Sequence, residues 1–148
     1  MSFELHPNLA RKIFITDLAL CRVLLEDEKK YPWIFLVPRR PNIKKMMDLS
    51  TKEQLQLMLE LDQAQKIIWE CFNPDQVNVA AIGNKTPQLH VHVIGRFSND
   101  PAWPGTVWDH PVRLPYTPKE KEERVQLLAS AFSNQFPLQP SFIWITKD

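Results

Sequence analysis

Gln88-Leu89-His90-Val91-His92-Val93-Ile94 is the stretch of this 148-residue chain that says most about its fold. Polar and apolar residues alternate along it, which predicts a β-strand with Gln88, His90 and His92 on one face. The polar side chains then stand roughly 6.5 Å apart at the usual strand rise. Two imidazoles in such a row titrate near neutral pH, which indicates a site rather than a solvated surface. The opposite face, expected to line a core, carries Leu89, Val91 and Val93.

Length and composition predict a single globular domain. The chain has 44% hydrophobic and 24% charged residues and a formal net charge of +1, so we expect no binding to nucleic acid or membranes. It has three glycines, too few for a Gly-rich phosphate loop. No targeting signal or membrane-spanning run is visible, so we expect a cytoplasmic protein. Cys21 and Cys71 are predicted to be reduced core thiols.

The segments with strand character predict an α+β fold with an antiparallel sheet of about five strands. The charged residues 26–30 are expected to form a hairpin turn before the apolar run 33–37, which reads as a central strand. The apolar tail 142–145 is expected to add an edge strand or to dock on a partner. The predicted strands are 13–15, 21–25, 33–37, 76–82 and 88–94.

Two capping boxes predict helices. Ser50 and Glu53 begin one long helix, which Asn73-Pro74 ends, and Thr117 and Glu120 begin a C-terminal helix that runs to about residue 132. The long helix is amphipathic. Its predicted apolar stripe is Leu57, Leu61, Ala64, Ile68 and Phe72, and its predicted solvent face is Gln56, Glu60, Gln63, Lys66 and Glu70.

The histidine pair alone leaves three interpretations open. His90 and His92 are structural histidines, or metal ligands on one strand, or a nucleophile with a neighbour that holds the substrate. A metal needs at least one more ligand, and no Cys, Asp or Glu in the strand supplies it. His6 and His110 are the only distant histidines available.

The pattern Gln-φ-His-φ-His-φ-φ, where φ is apolar, resembles the histidine triad of the HIT superfamily, His-φ-His-φ-His-φ-φ. The apolar strand and basic Pro-containing turn at 33–41, and Gly83-Asn84 before the triad, resemble the family's upstream elements. Trp103-Pro104-Gly105 resembles the segment after the triad in the Hint branch. The likeness covers about residues 10–110 of a single domain 1–148, and the C-terminal helix and tail occupy about 117–148.

This resemblance implies a nucleotide hydrolase or nucleotidyl transferase acting at the α-phosphate of a dinucleoside polyphosphate or nucleoside phosphoramidate. His90 takes the family's nucleophile position and would carry a covalent nucleotidyl group. His92 would donate to a phosphate oxygen or help the leaving group. Gln88 replaces the first triad histidine; it can hold phosphate or orient His92 but cannot be a general acid. Trp33 replaces a further family histidine and is expected to be a core or pocket-wall aromatic.

The remaining expectations concern substrate binding and assembly. Asn78 and Asn84 are candidates for binding ribose or phosphate, or simply turn residues. Trp103 and Trp108 would stack on a base or pack across a dimer interface. The resemblance implies a homodimer joined across the long helix and last strand. We expect no tightly bound metal, although Mg²⁺ would accompany a polyphosphate. Two alternatives are a nucleotide-binding module weakened by the replaced histidines and a His-x-His metal protein.

Overall fold

The computed structural model describes residues 2–134 and contains a five-stranded antiparallel sheet, as predicted. The strands lie in the order β1-β2-β3-β5-β4, so β3 and β5 are neighbours in its interior. Residues 26–32 join β2 to β3 as an antiparallel hairpin, which confirms the expected turn. The strands are β1 (Ile13–Asp17), β2 (Cys21–Leu25), β3 (Trp33–Pro38), β4 (Gln76–Ala81) and β5 (Val91–Arg96).

Three α-helices accompany the sheet: α1 (Pro7–Ala10), α2 (Thr51–Phe72) and α3 (Pro118–Asn134). The predicted capping box of α2 is present, since Ser50 Oγ accepts from the Glu53 N–H and the Glu53 carboxylate accepts from the Ser50 N–H. Asn73 ends the helix in the left-handed conformation, with φ of 50°. Thr117 and Glu120 make the same reciprocal bonds at the start of α3.

The two faces of the sheet bury separate apolar clusters. On one face, α2 and α3 pack against alternate strand residues, among them Ile34, Leu36, Val91 and Val93. The opposite face carries a smaller cluster that includes Trp33, Phe35 and Ile94 and is covered by the N-terminal segment and the loop at 102–107. The alternation predicted for the histidine segment is confirmed, because Leu89, Val91 and Val93 join the first cluster and leave the histidines on the second face.

Strand pairing in the histidine segment begins later than predicted. Val91 is the first residue of β5 that pairs with both neighbouring strands, opposite Leu36 and Ala81. The Leu89 N–H instead donates to the Ile43 carbonyl of a loop, and the Gln88 carbonyl is bound by a histidine ring. Residues 88–90 are therefore irregular backbone, because their polar groups bind outside the ladder.

The predicted solvent face of α2 is wrong at two positions, since Glu60 and Gln63 are buried. The Glu60 carboxylate accepts the backbone N–H groups of Leu20 and Cys21 at the start of β2. A buried carboxylate that receives two such donors is satisfied, and this explains why a charged residue lies inside. The tail 142–145 lies outside the described residues.

Both thiols are free, Cys21 buried and Cys71 half-buried. Burial, with Glu60 nearby, raises the pKa of Cys21, which keeps it an unreactive thiol. Between residues 2 and 134, no helix is long and apolar enough to cross a membrane.

Candidate active site

A cavity of about 420 Å³ opens on the second face of the sheet, at the beginning of β5. His90 and His92 both line it, and each is more than nine-tenths buried. Their ring centroids are 5.2 Å apart and the ring planes meet at 66°. The two imidazoles therefore lie side by side at one cavity, as the alternation of the sequence predicts.

His90 presents a lone pair to its surroundings. Its Nδ1 lies 2.7 Å from the backbone carbonyl oxygen of Gln88. Because a carbonyl oxygen only accepts, this nitrogen must be the one that carries the proton. In neutral His90 the other nitrogen, Nε2, then has a free lone pair, which is the form a nucleophile needs.

His92 has the opposite arrangement. The Trp33 indole N–H donates to His92 Nδ1 at 3.0 Å, and an indole nitrogen has no acceptor capacity. Nδ1 must therefore hold the lone pair, and the proton of neutral His92 sits on Nε2. Burial, and then the proximity of His90 and Lys12, lowers the pKa of His92 from 6.5 to about 3. At neutral pH His92 is an uncharged hydrogen-bond donor.

Aromatic rings fix the orientation of His92. The Phe35 centroid lies 4.8 Å from the His92 ring, directly across the β3–β5 pair. Trp108 approaches edge-on at 5.0 Å and also meets the Trp33 ring at 5.8 Å. With neighbours on these sides, the imidazole is held in one orientation.

The cavity wall is rich in positive charge. Of the described residues that line it, one is a carboxylate, Glu26, which is buried and pairs with Lys12 at 2.7 Å and with Arg113 at 3.0 Å. Four basic side chains against one carboxylate suit an anionic ligand such as a phosphate chain. The basic residues of the lining are Arg11, Lys12, Lys85 and Arg113.

Gln88 does not reach this cavity. Its carboxamide oxygen accepts the His6 backbone N–H at 2.7 Å, and its amide nitrogen donates to the Glu4 carbonyl oxygen at 2.8 Å. Both ends of the side chain are thus used to hold the N-terminal segment, which continues into α1 at the cavity wall. The side chain thus anchors backbone and the carbonyl oxygen binds His90, while a role of Gln88 in holding phosphate or orienting His92 stays a prediction.

Of the other candidates, Asn84 lines the cavity, whereas Asn78 and Trp103 do not. The Asn78 oxygen accepts from Arg96 at 2.9 Å, toward the other end of β5. The Trp103 ring lies over the Arg96 guanidinium, with the central guanidinium carbon 5.9 Å from the ring centroid. Arg96 is itself buried and paired with Asp100 at 2.8 Å, so these residues build a structural cluster. Of the two candidates Trp103 and Trp108, Trp108 is the one that lines the cavity.

Sequence reasoning missed two contributors, Glu26 with its basic partners and the indole N–H of Trp33. The donor and acceptor of the Trp33–His92 bond are 59 residues apart in the chain, and periodicity carries no signal for such a pair. Within residues 2–134, no group of three His, Cys, Asp or Glu side chains is placed to hold a metal ion. His6 instead caps α1, its Nδ1 accepting the Asn8 N–H.

The fold and the paired histidines agree with comparisons to known proteins. The family model described as HIT domain matches residues 8–99, well over half of the chain. The chain belongs to the HIT family. No curated protein matches it significantly.

Several solved HIT-family structures are similar over nearly their whole length. A histidine triad protein from Bradyrhizobium japonicum is 39% identical, with a TM-score of 0.84 over 86% of this chain and 96% of that one. A histidine triad protein from Marinobacter aquaeolei is 36% identical, with a TM-score of 0.86 over 90% and 98%.

A more distant likeness is to a diadenosine triphosphate hydrolase from Plasmodium falciparum, at 17% identity. Its TM-score is 0.59, over 91% of this chain and 83% of that one. At this identity the likeness concerns the fold alone, which HIT-family nucleotide-binding proteins and hydrolases share.

Proposed function

We propose that this HIT-family chain is a nucleotide hydrolase, or nucleotidyl transferase, which attacks the α-phosphorus of a nucleoside phosphate derivative. The observation that carries the proposal is the pair of opposite hydrogen-bond arrangements at one cavity. His90 Nδ1 donates to a backbone carbonyl oxygen, whereas His92 Nδ1 accepts from an indole N–H. One ring thereby offers a lone pair and the other a proton to the same ligand.

In the first step, His90 Nε2 forms a bond to the α-phosphorus while the bond from phosphorus to the leaving group breaks. The electron pair of that bond goes to the leaving atom, and the nitrogen of a phosphoramidate takes up a proton from solvent as it leaves. The imidazole becomes positively charged as a nucleotidyl-histidine, and the Gln88 carbonyl oxygen, 2.7 Å from Nδ1, stabilises this charge through a stronger hydrogen bond. His92 Nε2–H donates to a non-bridging oxygen or to the leaving atom as negative charge develops there.

In the second step, water or another acceptor attacks the phosphorus and the phosphorus–nitrogen bond breaks. The electron pair returns to His90 Nε2, so the imidazole is regenerated, and the proton of the attacking water leaves to solvent. The four basic residues of the wall favour a phosphate chain in the cavity throughout.

The substrate class follows from the charge and size of the cavity. A dinucleoside polyphosphate or a nucleoside phosphoramidate places an α-phosphorus next to an anionic or polar group, and about 420 Å³ accommodates a nucleotide unit. Asn84 and Trp108 border the cavity and are the proposed contacts to ribose and base. No tightly held metal is proposed, and Mg²⁺ would enter with a polyphosphate.

Turnover by wild type and His90→Ala tests the proposal directly. Adenosine phosphoramidate and diadenosine tetraphosphate are offered in turn, with and without Mg²⁺, and the release of AMP is measured. Turnover by the wild type and loss of it in the variant are expected. Equal rates would remove His90 from the nucleophile role.

A nucleotide-binding module is the second candidate, favoured by the placement of Gln88 and Trp33. The Gln88 side chain binds the backbone of Glu4 and His6 with both its polar atoms, and the indole N–H of Trp33 donates a hydrogen bond but does not ionise near neutral pH. A carboxamide and an indole do not act as general acids, so neither position that the family fills with histidine would supply one here. Calorimetry that detects AMP binding to a protein without turnover of any nucleotide would select this candidate.

The assembly that fits this chain best is a homodimer formed through α2 and the open edge of β4. Among residues 2–134, strand β4 pairs only with β5, and exposed apolar residues lie on it and on the outer side of α2. A self-complementary contact between two copies would cover both. These exposed residues are Leu55, Met58, Trp69 and Val79.

Light scattering on Trp69→Ser tests this dimer, with Phe14→Ser as the control. Both side chains are about half exposed, but Phe14 lies on β1 at the opposite edge of the sheet. The Trp69 variant is expected to become monomeric while the Phe14 variant remains a dimer. A monomeric wild type, or a dimer insensitive to Trp69, would contradict the proposal. The free thiols of Cys21 and Cys71 suit a cytoplasmic location for this assembly.

A further inference from the structure

Trp33 occupies a position where its only polar group meets one nitrogen of a proposed catalytic ring. Its Nε1 lies 3.0 Å from His92 Nδ1, and both side chains are buried, with 5% and 7% of their surface exposed. Solvent therefore does not compete for this bond. A histidine at position 33 would either donate or accept, and would gain or lose a proton with pH, whereas an indole nitrogen only donates.

This restriction determines where the proton of His92 sits. If His92 carried its proton on Nδ1, two N–H groups would face each other in a buried place and both would lose their partner. The cost of one unpaired buried donor disfavours that tautomer by roughly tenfold to hundredfold. The tautomer with the proton on Nε2 keeps the bond and directs its N–H away from Trp33.

The neighbouring rings also prevent the His92 imidazole from rotating. Phe35 lies 4.8 Å from the His92 ring, and Trp108 lies 5.0 Å away at nearly a right angle. Rotation of the imidazole about its side-chain axis would move Nδ1 from the indole N–H and place a C–H there instead. The surrounding rings therefore maintain the geometry that the hydrogen bond selects.

We propose that Trp33 is a positioning residue that fixes His92 in the tautomer with the proton on Nε2, so that this ring permanently presents a hydrogen-bond donor to the cavity. The use of that donor for a phosphate or leaving-group oxygen rests on the proposed function. The tautomer itself does not, because it follows from the Trp33 bond alone.

The electrostatic surroundings of His92 agree with a neutral donor. His90 and Lys12 both disfavour a second positive charge on the ring, and burial does so more strongly. Four further charged groups line the same cavity: Arg11, Lys85, Arg113 and Glu26. The Glu26 carboxylate already pairs with Lys12 and Arg113. No carboxylate contacts either His92 nitrogen among residues 2–134.

Nuclear magnetic resonance of ¹⁵N-labelled protein tests the proposal without substrate. Long-range ¹⁵N–¹H correlations report the protonated ring nitrogen of each of the four histidines, assigned with single His variants. In the wild type at pH 7, His92 is expected with its proton on Nε2, and the neutral form of His90 is expected with its proton on Nδ1. A His92 proton on Nδ1 would overturn the proposal.

Trp33→Phe retains an aromatic ring and removes the donor, so His92 is expected to become a mixture of both tautomers. Trp108→Phe is the matched control, because Trp108 touches His92 through its ring edge and donates no hydrogen bond to it. The control is expected to keep the wild-type tautomer. An unchanged tautomer in Trp33→Phe would contradict the positioning role.

A measurement on the wild type keeps the test independent of whether Trp33→Phe folds. A scalar coupling between the Trp33 Nε1 and His92 Nδ1 nuclei is expected across the hydrogen bond, and its absence would overturn the proposal. The outcomes also separate this inference from the proposed function. A protein that turns over no nucleotide contradicts the hydrolase, yet its tautomer is still measured in the same spectra.

Discussion

His90 and His92 are two residues apart, yet their surroundings differ in kind. His90 precedes β5 in irregular backbone, and its ring is oriented by the carbonyl oxygen of Gln88. His92 lies within β5, where the Trp33 side chain of a neighbouring strand orients it. The backbone thus determines which proton His90 carries, and a side chain determines it for His92. Substitution of Trp33 should therefore alter the tautomer of His92 and leave that of His90 unchanged.

The largest expected effect is the loss of turnover in a His90 variant, because only His90 takes part in the covalent step. His90→Gln removes the atom that bonds phosphorus, so turnover is expected to fall by at least about 10³-fold, with no nucleotidyl adduct. Rapid-quench kinetics with a radiolabelled substrate measures both quantities. A His90→Gln protein that still accumulates labelled protein would show that another residue is the nucleophile.

His92→Gln is expected to have a smaller effect, because it removes a donor and leaves the nucleophile. Loss of one donor to a developing oxyanion lowers kcat by about 10²–10³-fold. The same quench experiment should still detect the adduct, formed more slowly. If the His92 variant forms no adduct while the His90 variant does, the two roles are reversed.

The low pKa of His92 makes the free energy of unfolding depend on pH. The folded protein holds His92 with a pKa of about 3, below its ordinary value of 6.5, so the unfolded chain binds a proton over that range that the folded chain does not. The contribution of His92 to the free energy of unfolding is therefore fully present above pH 6.5 and is lost as the pH decreases toward 3. A loss of about 2 kcal/mol between pH 6 and pH 4 is expected from this group.

Urea denaturation across that pH range measures the loss. His92→Gln should have a shallower pH dependence than the wild type by this amount, whereas Gln126→Ala, which removes no titratable group, should keep the wild-type dependence. Equal slopes in all three proteins would show that His92 titrates normally in the fold.

Gln88→Ala is expected to have the smallest effect, a loss of stability without a change at the His90 ring. It removes both hydrogen bonds that hold residues 4–6, at a cost of about 1–2 kcal/mol in unfolding free energy. The backbone carbonyl oxygen of residue 88 remains, so the His90 tautomer should not change. Denaturation and nuclear magnetic resonance measure these results, and Gln126→Ala on the exposed side of α3 is the control.

Gln88→His distinguishes the sequence-based expectation from the structural one. As a restored triad it should raise activity. As a replacement for the carboxamide it loses at least one of the two backbone bonds and should destabilise the protein by about 1 kcal/mol. Stability and turnover measured on the same preparation separate the two accounts.

The sequence predicted the elements whose signal is local. The alternation around His90 and the capping box at Ser50 each lie within a few neighbouring residues, so the sheet face and the start of α2 could be predicted. The HIT-like fold came from the resemblance to a family, whereas the lateral order of the strands was not predicted. These signals suffice for the fold and for the position of the two imidazoles.

The rest of the site depends on partners that are distant in the chain. Gln88 binds the backbone of Glu4 and His6, more than 80 residues away, and Glu60 binds the start of β2, about 40 residues away. The sequence indicates only a core or pocket-wall aromatic at Trp33, because Trp33 and His92 become neighbours through the pairing of β3 with β5. Polarity and spacing do not reveal which donor meets which acceptor, so these roles emerged only from the structure.

Peptide mapping of the trapped adduct tests the central account most directly. Wild-type protein is mixed with a radiolabelled nucleoside phosphoramidate, quenched at alkaline pH where a phosphorus–nitrogen bond survives, and digested for mass spectrometry. The account predicts one nucleotidyl group on the ring of His90. A nucleotidyl group on His92, or full turnover without any adduct, would contradict it.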